Sequence, residues 1–479
     1  MVESPLSLNA LEYTFRHLLK VAFPQLESEP FRVEKGDGTI TVYVKEVKLV
    51  MYAMNQTEFD FFIKGRWSPF LMLDNAKLTQ EIPLVFDDDG VDDGVVYSET
   101  DSSIHIPYDI LTPSFLLLSR YEEFNVYALG LVDYDEHDRI PFEGTLADKY
   151  NLVEIPLVDE YAMLLRWWLC LYLPDRFEAV PRTPRIVPTH DIDILYRFTG
   201  RFQAWKSILG RDLLINRDLK MVWESIKSYR NWKIRPSLDP YVEAINWFLI
   251  QEEKQNLSSV FFFKATEKGH PDATYEVQDP ILREVIGIIM EPGYHQIGLH
   301  GSYPSAEHLQ YLQKEKQNLS KLCDEEIRVS RQHYLRTFFA DDPNSLDLWR
   351  QAGITDDYTL GFAERCGFRC GTCHPYPLYD VRHDRVTDIV EHPLIVMDGT
   401  LSDYMKLSVE EAKELVMRLK KRCFDVEGDF VILWHNHATT REMKPYYEEV
   451  YLPAIGKKEE GRGKREEGRG KREEGRGER

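Results

Sequence analysis

"PTHDIDILYR", residues 188–197, places His190, Asp191 and Asp193 directly behind the apolar "RIV" and just ahead of the turn-prone "FTG". An apolar run with turn residues after it reads as a buried strand, so two carboxylates stand one residue apart at a strand end. If the strand stays extended, side chains at Asp-x-Asp spacing point to the same side and can face one cavity. Carboxylates that close raise one pKa unless a cation intervenes, which points to a metal or to acid/base work. The alternative for an isolated Asp-x-Asp is a solvated turn with Asp193 capping a helix.

The flanking sequence favours the strand end. From about residue 183 strand-like and helical stretches alternate. "DPYVEAINWFLIQEEKQN" reads as a helix and "LSSVFFFK" as a strand buried on both faces. Next come the helix "PILREVIGIIM", the strand-like "YHQIGLHGS", the helix "AEHLQYLQKEKQNLSKL" and "IRVSRQHYLR". "SVEEAKELVMRLKKRCF" is a helix with a capping box, Ser408 and Glu411, and leads into "DFVILWHNH". Such alternation argues for a parallel sheet or a (β/α) barrel. Residues 1–178 differ in texture: short apolar runs ("TITVYVKEVKLVMY", "FDFFIKGRW", "IPLVF") alternate with acidic loops and close on the helix-like "VDEYAMLLRWWLCLYL", an α+β pattern. The expected class is therefore α/β, a distorted (β/α) barrel over 179–455 preceded by an α+β domain over 1–178. Residues 456–479 form a charged seven-residue repeat without an apolar side chain, which cannot bury a core and is expected to be disordered.

Composition narrows the function classes. The chain has 479 residues, 43% of them hydrophobic and 12% aromatic, enough for two or three domains with full cores. Its formal charge is -21, and because the last 23 residues carry a local +3, the remainder holds -24. So acidic a body repels phosphate backbones, which argues against a nucleic-acid partner. The N-terminal stretch, with Leu11, Phe15, Leu18, Leu19 and Phe23 at helical spacing, reads as an amphipathic helix and not as an export signal. No run of about 18 apolar residues occurs, so no membrane span is expected, and a cytoplasmic location is. Six cysteines are too few to suggest a disulfide scaffold in a chain this long.

In an α/β barrel the C-terminal strand ends carry the chemistry. Here such ends hold Asp191 and Asp193, then His300 after "HQIGL", then Arg331, His333 and Arg336 in "SRQHYLR", then His435 and His437 after "FVILW". Taken alone, His300 also fits a satisfied core histidine. The letters "HNH" invite a nuclease reading that three residues support weakly and the acidic body opposes.

The order "THDID", "SSVFFFK", "HQIGLHGSY", "SRQHYLR", "FVILWH" resembles the NodB-homology polysaccharide deacetylases, carbohydrate esterase family four. The wider context ("SRYEEF", "HDRIPFEGTLADK", "GITDDYTLGFAERCGFRCGTC") is similar to a bacterial subgroup of them with an uncharacterised N-terminal domain, often linked to surface-polysaccharide metabolism. The resemblance covers most of residues 1–455 and implies a barrel of polysaccharide-deacetylase type. It implies Asp191 as general base, Asp193 and His300 as metal ligands, Arg331 or Arg336 as the arginine that orients the base, and His435 as general acid. The implied reaction is metal-assisted removal of an acetyl group from an acetylated carbohydrate, with a divalent ion as cofactor; a carboxylate with imidazoles suits zinc, though cobalt, iron or nickel would bind as well. One position departs from the family: four residues after His300, where a second histidine ligand is expected, stands Pro304. His333 is the favoured substitute, ahead of His308 and His437. The other class left open is a catalytically silent carbohydrate-binding or assembly module of a surface-polysaccharide pathway.

Three further features are weighed. "VFDDDGVDDG", residues 85–94, lacks the spacing of a calcium loop and reads as a solvated acidic turn. "CGTCH", residues 370–374, matches the haem-attachment pattern without the leader that export needs, and a structural metal on Cys366, Cys370, Cys373 and His374 ranks behind free thiols. Of Trp349, Tyr358, Tyr376, Tyr404 and Trp434, only Trp434 is expected near the site, because it precedes His435 on one strand.

Overall fold

The computed structural model describes residues 4–66, 70–73, 82–85, 94–130, 134–215, 217–440 and 443–456. The acidic turn of "VFDDDGVDDG" and the charged tail fall almost wholly outside the described residues.

The amphipathic N-terminus forms the helix Leu8–Ala22, opened by the Ser7 hydroxyl accepting from Ala10 N–H. It buries Leu11, Phe15, Leu18 and Leu19 along one face, as their spacing requires. The helix packs against another, Leu157–Tyr172, the expected apolar segment before Pro174. Beside them strands β1 (Phe31–Lys35), β2 (Thr39–Val44) and β3 (Val47–Tyr52) pair antiparallel. Burial alternates strictly along β2 and β3, so Ile40, Val42, Leu49 and Met51 face the core. A two-stranded ribbon of β4 (Phe70–Leu73) and β5 (Ile82–Val85) follows. Then β6 (Val96–Ser98) and β7 (Ser103–Ile106) complete a five-stranded sheet of order β1-β2-β3-β7-β6.

The second sheet has nine strands: β8 (Arg185–Ile192), β9 (Val260–Phe263), β10 (Gln296–Gly301), β11 (Val329–Gln332), β12 (Asp356–Asp357), β13 (Tyr376–Asp380), β14 (Arg385–Glu391), β15 (Val396–Met397) and β16 (Asp429–Leu433). Their order is β13-β14-β12-β11-β10-β9-β8-β16-β15, and every pairing is parallel except β13 with β14. Helices link the parallel strands: Pro240–Lys254, Pro280–Met290, Leu309–Cys323, Ser345–Ala352 and Val409–Asp425. The last begins at the capping box of Ser408 and Glu411 read from the sequence. The chain is thus a mixed α/β protein.

Both faces of the parallel sheet are buried, but in different company. Ile186, Ile192, Phe261, Phe263, Ile297, Leu299 and Ile432 join a core shared with the helices and continuous with that of the N-terminal sheet. Alternate residues, Val260, Phe262, Val329, Val431 and Leu433 with Leu335, Tyr358 and Leu394, form a second, separate cluster on the opposite face. Parallel strands end on one side, so β8, β10, β11, β15 and β16 deliver the residues at their C-terminal ends to the same edge. Among the described residues no helix is long and apolar enough to cross a membrane.

Candidate functional site

Strand β8 sorts its polar residues by face. His190 turns to the helix layer, where its ring stacks on Phe248 with centroids 3.8 Å apart and its Nε2 lies 2.7 Å from Glu252. Asp191 and Asp193, two residues apart, line a cleft of about 500 Å³ together with His300, His333, Asp398 and His435.

Arg331, at the end of β11, donates from Nη1 to Asp191 Oδ1 at 2.9 Å and to the Thr189 hydroxyl at 2.9 Å. Its Nε donates to the Tyr358 carbonyl at 2.9 Å, and its guanidinium lies 4.6 Å from the centre of the Phe262 ring. A fully buried arginine clamped on so many sides fixes Asp191 in place. Arg336 goes elsewhere: it stacks on Tyr303 and bonds to the Tyr303 carbonyl, Glu307 and Asp138. Of the two arginines, Arg331 holds the aspartate and Arg336 a loop at the rim.

Asp193, His300 and His333 meet at one point. One ligand atom from each lies within 4.8 Å of the other two. Asp193 Oδ1 stands 3.0 Å from His300 Nε2 and 3.4 Å from His333 Nε2. Yet both Asp193 Oδ1 and His300 Nε2 are buried without a hydrogen-bond partner, because their alignment does not make one. The outer nitrogens, in contrast, are engaged: His300 Nδ1 donates to the Arg331 carbonyl at 3.0 Å, and His333 Nδ1 contacts Asp272 Oδ2 at 2.9 Å. With the protons on Nδ1, both Nε2 lone pairs aim inward, and the outer hydrogen bonds fix the orientation of the rings as they do for histidine ligands. Burial would raise the Asp193 carboxyl, but the imidazoles of His300, His435 and His333, in their protonated forms, hold it well below the usual carboxylate range. Burial pushes His333 down, so its ring favours the neutral form a ligand needs. The residues present fit a divalent cation.

The chain achieves this convergence through an unusual turn. Directly after His333, Tyr334 and Leu335 adopt left-handed conformations with φ of 62° and 59°. Such conformations cost on the order of 1 kcal/mol or more each unless the surroundings impose them. Arg139, from the N-terminal part of the chain, does so by donating to the Tyr334 carbonyl at 3.1 Å, while its own charge is paired with Asp135 at 2.6 Å. His137 stacks on the Tyr334 ring at 4.2 Å. "HDRI" therefore supports the wall of a site whose candidate ligands lie far along the chain.

On the other side of the cleft His435 Nδ1 lies 2.6 Å from Asp398 Oδ1, and its Nε2 is 3.4 Å from Asp193 Oδ2. Burial disfavours its charge, but Asp398 and then Asp193 outweigh it and raise the imidazole well above its usual value. His437 lines the same cleft with its ring 5.1 Å from that of His435, whereas His308 stands at the start of the helix Leu309–Cys323, away from the lining.

Other readings are corrected. Trp434 is fully buried and packs on Tyr451 in the core, donating to the Ala438 carbonyl; Tyr404, not Trp434, reaches the cleft. Strand alternation accounts for this, since Trp434 and His435 point to opposite sides. All six cysteines are free, as expected, and Cys366, Cys370 and Cys373 are buried in the segment before β13. Among the described residues Cys366 and Cys370 join no candidate metal group; Cys373 and His374 gather with Asp159 instead. Sequence reading missed Asp272, Asp398 and Arg139. Asp398 was open to discovery as a strand-end carboxylate in "IVMDG", whereas Asp272 lies in a loop with no pattern.

A model of a family of unknown function, DUF7033, matches residues 1–174. No curated protein matches the chain. Among solved structures it is similar to a provisionally assigned polysaccharide deacetylase from Mycobacterium smegmatis, at 16% identity over 59% of this chain and 90% of that one, with a TM-score of 0.35. A provisionally assigned polysaccharide deacetylase involved in O-antigen biosynthesis, from Bordetella bronchiseptica, gives 13% identity, coverage of 57% and 81%, and a TM-score of 0.30. A polysaccharide deacetylase from Bacillus cereus gives 8%, coverage of 57% and 87%, and 0.29. These are distant likenesses, and the chemistry of this chain rests on its own residues.

Proposed function

We propose that the protein is a metal-dependent hydrolase that removes acetyl groups from an acetylated sugar or polysaccharide precursor. The observation that carries the reading is the convergence of Asp193, His300 and His333 on one point, with Asp191 and Arg331 on one side and His435 and Asp398 on the other. Asp193 Oδ1, His300 Nε2 and His333 Nε2 would hold a divalent ion, zinc by its mix of imidazole and carboxylate donors. When bound, that ion supplies a Lewis acid and lowers the pKa of water. Asp191, fixed by Arg331, takes a proton from the attacking water. His435, kept protonated by Asp398, returns one to the leaving group. His333 takes the place left by Pro304.

The same reading includes the architecture. The outermost parallel strands, β14 and β15, are consecutive in the chain and joined only by residues 392–395, so their facing ends lie at most roughly 18 Å apart. With the separate cluster of inward side chains, this supports closure of the sheet into a distorted barrel. Residues 1–178 and 179–455 form its two units, the first bracing the rim of the second through Arg139.

The test is metal content by plasma mass spectrometry together with acetate release from N- and O-acetylated sugars. We expect near-stoichiometric zinc and acetate release, both lost in Asp193→Ala and His300→Ala. A purified protein that takes up no metal even after incubation with zinc would overturn the reading in favour of a carbohydrate-binding module.

A further inference from the structure

We propose that the helical hairpin of residues 201–234 docks the protein on an anionic membrane surface. It stands independent of the hydrolase reading.

The hairpin is inserted where the chain leaves β8, before the helix Pro240–Lys254. Its first limb is the helix Arg201–Trp205 continued in wider turns over Lys206–Ile215, and its second is the helix Leu219–Ile234, capped by Asp218. The inner faces pack together: Phe198, Ala204, Ile208 and Tyr229 are buried, with Val222, Ile226 and Trp232 against them. A buried polar tie of Arg197, Asp212 and Ser225 pins the limbs to each other. The hairpin is a built element with its own small core.

Its outer surface is the anomaly. The six most exposed large apolar side chains among the described residues are Phe202, Ile234, Ile215, Leu219, Leu214 and Trp223, at 65% to 85% exposure, and all lie here. On the second limb Leu219, Trp223, Lys227, Arg230 and Ile234 recur at spacings of four, four, three and four residues, which puts them on one helical stripe, all exposed. That stripe interleaves apolar and basic side chains, and Leu214, Ile215 and Arg217 are exposed as well. Residues 201–234 hold eight Lys/Arg against three acids, a local +5 in a chain of -21.

Exposed apolar groups gathered on one element call for a partner. Large apolar and aromatic side chains interleaved with Lys and Arg match the interface of an anionic bilayer, where rings and aliphatic chains enter the headgroup boundary and cations meet lipid phosphates. A second copy of the chain fits less well, since a two-fold contact would set this +5 hairpin against itself.

The test is co-sedimentation of the full chain with vesicles of phosphatidylcholine alone or mixed with phosphatidylglycerol. We expect binding to the mixed vesicles that weakens as salt rises, and little binding to neutral ones. Trp223→Ser with Ile234→Ser should lower partitioning at least about tenfold. Lys227→Glu with Arg230→Glu should lower it roughly fivefold or more per charge. All variants should keep the wild-type Tm, which shows that they fold. Failure to bind mixed vesicles, equal binding to neutral ones, unaltered binding by the variants, or a dimer that the same substitutions dissociate would each overturn the proposal.

Discussion

Among the described residues, two clusters bring three potential metal ligands within the same short range, and they differ in how those ligands are engaged. Asp193, His300 and His333 lie within 4.8 Å of one another in an open cleft, as do Asp159, Cys373 and His374 in the interior. In the second cluster hydrogen bonds take up the donors. Asp159 accepts from the Thr372 hydroxyl at 2.5 Å and from Cys373 N–H at 2.8 Å, and His374 Nε2 contacts the Val426 carbonyl at 2.9 Å. In the first, two ligand atoms are orphaned while the outer ring nitrogens are satisfied. Their carboxylates respond in opposite ways. Burial raises Asp159 against weaker help from His374, whereas the imidazoles around Asp193 overcome burial and lower it. Proximity of ligand types alone therefore does not separate the two clusters; the unmet inward atoms of Asp193 and His300 do.

The sharpest way to break this contrast is to remove a ligand. His333→Ala should lower both zinc affinity and acetate release by more than about a hundredfold, beyond what losing an orienting group costs. A chelator should do the same to the wild type, while Asp159→Ala keeps full metal content and activity per folded molecule. Equal metal loss in both variants would erase the distinction. Asp272→Asn tests the outer shell alone, with metal affinity falling about tenfold to a hundredfold as His333 loses its anchor. Titration with a competing chelator reads it.

Asp159→Ala carries a different penalty. It strands the Thr372 hydroxyl and Cys373 N–H between the helix Leu157–Tyr172 and the segment leading into β13, and should cost about 2 kcal/mol of stability in denaturant unfolding. The effect that is smallest per pH unit concerns Glu315, a buried acid bonded to Ser302 that burial pushes up to about 7 from 4.5. The folded chain then binds a proton that the unfolded chain releases, so the linked stability is complete below 4.5 and is lost as pH rises through about 7. Relative to Glu315→Gln, the wild type should lose about 1 kcal/mol per pH unit in that window. A difference that does not change with pH would refute it.

Much of the architecture was legible in the chain. Apolar runs of strand length between amphipathic helices fixed the αβ alternation, and Ser408 and Glu411 marked a helix start by chemistry local to four residues. The strand-end histidines and aspartates could be found because a parallel sheet sends all its C-terminal ends to one edge. The antiparallel β13 and the small size of β12 and β15 had no such signal, since two-residue strands lack a period to read.

The sequence by itself determined which residues sit at strand ends and which side of a strand each faces, because period and composition are local properties. Only the tertiary structure decided that Arg331 and not Arg336 clamps Asp191, that Asp272 and Asp398 orient the two imidazoles, and that Arg139 braces the turn after His333. Those choices depend on distances between segments separated by tens to hundreds of residues. Packing of whole layers sets such distances, and no local pattern encodes them.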